Sequence, residues 1–108
     1  MANRHRGEIE AELGGKQRVL VLTLGALAEL EQAFGADDLT ALAERFAQGR
    51  LSARDAIRVI AAGLRGAGET LSDDDVAALS APGGAAGYVR IVSELLRVTF
   101  GGDHEVLP

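Results

Sequence analysis

Apolar and polar residues alternate strictly from residue 7, in GEIEAEL, with Glu8, Glu10 and Glu12 on one side and Ile9, Ala11 and Leu13 on the other. A period of two marks a strand with one solvated face. Gly14 and Gly15 come next, and paired glycines supply the positive φ angles of a tight hairpin turn. A second strand over residues 16–22 follows, with Val19 and Val21 on one face and Leu20 and Leu22 on the other. A strand apolar on both faces calls for cover on both.

From residue 23 the period lengthens to that of a helix. Thr23 is placed to cap a first helix with Leu24, Leu27, Leu30 and Phe34 as its buried stripe, ended by Gly35. Asp37 or Asp38 caps a second, with Leu39, Leu42 and Phe46 inward and Gly49 at its close. Ser52 opens a third, and Asp55 three residues on makes a capping-box variant. Its core stripe is Ala53, Ile57, Ile60, Ala61 and Leu64, and Gly63, Gly66 and Gly68 lower helix propensity so that it frays near Gly66.

A short helix is expected over residues 72–79, then the Ala-Pro-Gly-Gly linker of residues 81–84. The last helix, residues 85–100, is apolar around most of its circumference, which requires a central place in the core or cover from another chain. Ile91 and Leu95 are the residues on which such an interface is expected to rest. The pattern therefore predicts an α+β, mostly helical fold: an N-terminal β-hairpin followed by about five α-helices in a small single domain. Its parts are a flexible N-terminus (1–6), one globular domain (7–100, with the hairpin in 7–23 and the helices in 24–100) and a C-terminal tail (101–108).

Composition narrows the function. Only 4% of residues are aromatic while 47% are hydrophobic, so the core is built of Leu, Val, Ile and Ala. Few large side chains anchor such a core, and burial against a partner or a second copy would add to its modest stability. A net charge of −5 repels nucleic acid and anionic membranes. There is no cysteine for a disulfide or thiolate metal site, and no signal peptide or apolar run long enough to span a bilayer, so the expected location is cytoplasmic.

Candidate chemistry is sparse. The three glutamates of the first strand are spread along it and read as a solvated face that discourages edge pairing. SDDDV at residues 72–76 lacks the spacing, central Gly and distal Glu of a calcium loop, and places carboxylates in a first helical turn, where they complement the helix dipole. His104, Asp103 and Glu105 are adjacent in the tail and cannot surround an ion by themselves. With two histidines, both near the ends, no nucleophile–base pair is in view, so no catalysis, cofactor or metal is expected.

Partner binding is left. Arg54, Arg58 and Arg65 fall within about 40° of one another on the third helix at 100° per residue. They either solvate that flank or grip an acidic partner. Val19 and Val21, on the two-sided strand, are the second candidate surface, and Ile91 and Leu95 the third.

Residues 7–68, GEIEAELGGKQRVLVLTLGALAELEQAFGADDLTALAERFAQGRLSARDAIRVIAAGLRGAG, resemble the small gene transfer agent tail protein family of alphaproteobacteria and their phages. The most specific parts are LTLGALAELEQAFG and GRLSARD. The family is grouped with phage tail assembly chaperones and is also labelled a tail tube protein. The resemblance implies a cytoplasmic helper that binds the tape-measure protein, keeps its helical apolar segments soluble and delivers it for tail tube polymerisation, with the tail tube protein as a further partner. The alternatives are a structural component retained in the finished tail, and a small interaction domain unrelated to tails. A sheet-lined tube needs many strands, and a chain with one hairpin suits the helper better.

Overall fold

Gly14 and Gly15, at φ 65° and 79°, close a two-residue turn of the mirror-image type that matches the natural twist of paired strands. The turn joins β1 (Glu8–Leu13) to β2 (Lys16–Val21) in an antiparallel pair, with Ile9 opposite Leu20 and Glu10 opposite Val19. Helices α1 (Leu24–Phe34), α2 (Leu39–Ala47), α3 (Ala53–Gly66), α4 (Asp73–Ala77) and α5 (Ala85–Phe100) follow in this computed structural model, which describes residues 2–101. The predicted class and element order are those observed.

Local signals account for most boundaries. Thr23, Asp38, Ser52 and Ser72 each accept a hydrogen bond from a backbone N–H in the first turn of the helix they precede. Ser52 with Asp55, and Ser72 with Asp75, form reciprocal capping boxes. Gly35 and Gly101 end α1 and α5 in the left-handed conformation, which costs a residue without Cβ nothing.

The core lies between the hairpin and the helices. Ile9, Leu13 and Leu20 are buried on the sheet face that meets α3 and α5, while Val19 and Val21 on the other face are half-buried beside Glu8 and Glu10. The expected cover on both faces is thus complete on one only, because α1 and α4 pack on α3, and α2 on α1, rather than behind the sheet.

Helix α3 is the central element, touching β2, α1, α4 and α5. Two of its glycines allow that closeness. A Cβ on Gly63 would lie 2.9 Å from Leu95 Cδ2 and 3.2 Å from Leu20 Cβ, and one on Gly66 would fall onto the Val21 carbonyl oxygen. The helix runs through Gly63 to Gly66, gaining backbone contact that a larger residue would prevent.

Helix α2 rests on α1 through an edge-to-face pair, Phe34 and Phe46, with centroids 5.4 Å apart. Arg45 sits over the Phe34 ring and pairs with Asp55 at 3.3 Å. At the other end of the molecule, the Gly14 N–H donates to the Ser80 carbonyl at 2.8 Å, and the Tyr88 hydroxyl donates to the Leu79 carbonyl.

Four local expectations change. Residues 4–6, expected to be without regular structure, form a 3-10 turn in which Asn3 accepts from the His5 N–H and Arg4 pairs with Glu94 of α5. Leu24 is 77% exposed because Ala26, Leu27 and Leu30 carry the α1 stripe and turn it away from the first position. Leu39 is 43% exposed and Ala53 is exposed as well, since Leu42 with Phe46, and Val59 to Leu64, make the buried faces of their helices. His104, Asp103 and Glu105 lie outside the described residues.

Candidate partner-binding surface

The three arginines of α3 do not share one fate. Arg65 turns inward: its guanidinium donates to the Leu71 carbonyl at 2.9 Å and to Asp73 at 3.3 Å, and it also pairs with Glu29. It ties α3 to α1 and to the start of α4, so its charge is already matched within the chain. Arg54 is exposed and Arg58 half-buried, and neither makes an ion pair with another described residue.

Ile91 and Leu95 are 9% and 0% exposed. They face β1, β2 and α3 rather than outward, and Leu95 fills the space above Gly63. Their apolar character is spent on the chain's own core, which removes them as an exposed interface. Val19 and Val21 keep part of their surface but lie directly opposite Glu10 and Glu8 of β1.

Another surface takes their place. On the outward side of α5, Val89, Ser93, Leu96 and Phe100 stand at intervals of four, three and four residues, which keeps them in one line along a helix. Val89 is 62% exposed. Facing this line across a gap are Ala43 and Ala47 of α2, with Phe46 and Val92 beneath. The gap is a trough of about 360 Å³, open to solvent and mostly apolar in lining. It continues past Phe100 to Leu39 and Leu27, with Ala43, Ala47 and Phe100 lining both stretches.

The trough carries charge on its rims. Arg97 lines it directly, and Arg90 stands one helical row further round, beside Val89, Ser93 and Arg97. Glu44 stands on the α2 side. Glu94, the acidic neighbour on α5, is paired with Arg4, and neither Arg90 nor Arg97 has an ion-pair partner among the described residues. The four-three-four spacing is visible in the sequence, but the wide apolar surface of the same helix concealed which line would stay open.

Among the described residues the one clear titration shift is at Asp75, where the Ser72 backbone N–H, and then its hydroxyl, hold the carboxyl below its ordinary 3.8. That is a capping-box effect. Among the described residues no group of His, Asp or Glu is placed to hold a metal ion, and no helix is long and apolar enough to cross a membrane.

A family model described as "Phage tail tube protein, GTA-gp10" matches residues 6–102. No curated protein and no solved structure matches the chain.

Proposed function

The chain belongs to the gene transfer agent and phage tail protein family described as the GTA-gp10 tail tube protein, and from that membership we propose that it serves tail assembly as a non-catalytic helper that binds the tape-measure protein. The observation that carries this reading is the open apolar trough between α2 and α5. Monomeric proteins seldom leave such a surface uncovered, and a groove of this kind suits a helical segment of another protein. An amphipathic helix laid there would hide its own apolar face until assembly. The tail tube protein is a further partner in this reading, and the helper acts in the cytoplasm of the producing cell.

The family description favours a second reading, in which the protein is a structural part of the tail. A tube wall made of continuous sheet draws on strand edges, and this chain contributes one two-stranded sheet among its described residues. Copurification of the tagged chain from producing cells, with identification of what comes with it, tests the helper reading. Recovery of tape-measure protein from cell extracts, with the chain missing from purified particles, is the expected result. Its presence in purified particles at a level comparable to the tube would overturn the helper reading in favour of the structural one.

A further inference from the structure

We infer that the α2/α5 trough is a seat for one amphipathic helix of another protein, whose apolar edge enters between the two walls and whose acidic flank meets Arg90 and Arg97. The inference deepens the helper reading and rests on it for the partner's place in tail assembly. The chemistry of the occupant is argued from the trough alone.

Val89, Ser93, Leu96 and Phe100 occupy the positions that, in paired helices, form the seam, and Arg90 and Arg97 each directly follow a seam residue. Charged residues at that flank choose the partner and its orientation. Here both are positive, seven residues apart, and without an ion-pair partner among the described residues, in a protein whose net charge is −5. A partner helix with glutamates spaced by seven along one flank can meet both arginines at once.

The same flank argues against a second copy as the occupant. A two-fold axis sets the same patch of both subunits against itself. Antiparallel pairing of α5 with its copy would bring the Arg90 and Arg97 flank against an identical flank, and like charges facing each other oppose association. The small wall residues Ala43, Ala47 and Ser93 also leave a gap that large side chains of a different helix would fill, and Ser93 at the centre of the seam contributes little apolar surface for self-pairing.

The experiment uses the full chain and two fluorescein-labelled three-heptad peptides, alike in carrying Leu at both seam positions and differing only in having Glu or Lys at the flanks. Anisotropy titration is expected to show the Glu peptide binding about tenfold more tightly than the Lys peptide, the effect of two partly desolvated charge pairs turned from attraction to repulsion. Arg90→Glu with Arg97→Glu should reverse the preference, and Val89→Glu should weaken both peptides, with the circular dichroism of each variant unchanged. Equal binding of the two peptides, no binding of either, or a preference untouched by the arginine exchange would overturn the inference. So would a wild-type dimer in light scattering that Val89→Glu converts to monomer, since the trough would then hold a second copy. The reading of function fails separately: if the Glu peptide binds as expected and tape-measure protein does not copurify, the seat stands and its natural occupant is another helix.

Discussion

Where α5 meets α3 the interface closes on a glycine, and where the same helix faces α2 it stands off across an open trough that only the rings of Phe46 and Phe100 bridge. Small residues stand at both, with Gly63 under Leu95 and Gly66 of the same helix against β2 on the closed side, and Ala43, Ala47 and Ser93 on the open one. On the first side, α3 lies against both Leu95 and the backbone of β2, so smallness becomes close contact. Each interior glycine costs about 1 kcal/mol of helix propensity against Ala, and tight packing offsets it. On the second side α2 is held by α1 through Phe34 and Phe46, and smallness becomes space. A small residue therefore does not tell which of the two it will make. The distance between the backbones decides.

The closed side should be far more fragile than the open one. Leu95→Asp places an unpaired charge in the fully buried part of the seam, and loss of a cooperative thermal transition is expected by circular dichroism. Gly66→Ala sets a methyl group onto the Val21 carbonyl, where backbone and not a flexible side chain must give way. A loss of about 3 kcal/mol is expected in urea unfolding, at the upper end for overpacking. Arg65→Gln removes the tie between α3, α1 and α4 and should cost about 1 kcal/mol, since that guanidinium is partly solvated.

On the open side, Leu39→Gln and Val89→Gln should each stay within about 0.5 kcal/mol of the parent in the same measurement. A large loss in either would mean that the trough is closed in solution. The smallest effect belongs to Asp75. Its folded pKa lies below its unfolded value, so its contribution is complete above about the ordinary 3.8 and disappears as pH falls through the lower folded value. An NMR titration of the Ser72 amide should show a midpoint below 3.8.

What could be read from the sequence follows the range of the interaction that decides it. The glycine turn, the caps at Thr23 and Ser52, the cap of the second helix at one of Asp37 and Asp38, and the extent of α5 depend on neighbours within a few residues, and these expectations match the structure, with Asp38 as the second cap. Gly63 and Gly66 read as weakening a helix because their reason lies across the core, in Leu95 and Val21. Arg65 looked equivalent to Arg54 and Arg58 because periodicity gives direction around a helix, not what waits there. Glu29 and Asp73 come from elements 36 and 8 residues away. The same holds for Ile91 and Leu95, whose sequence allows either a core or an interface: an apolar helix shows how much surface must be covered, and only tertiary structure shows by whom.

The tie between Gly14 and Ser80, together with the packing of α5 on β1, has a consequence for the chain as it leaves the ribosome. The hairpin needs only its own residues and can close within about 1–10 μs. Its cover begins with α3 over Leu20 and is complete only with Leu95, and at about 5–20 residues per second the wait between Leu13 and Leu95 is roughly 4–16 s. Over that wait Ile9 and Leu13, with Leu20 until α3 reaches it, form an apolar strip on a nascent two-stranded sheet, next to bare strand edges. Glu8, Glu10 and Glu12 line the opposite side of β1, and like charges there oppose the pairing of two such hairpins before α5 emerges.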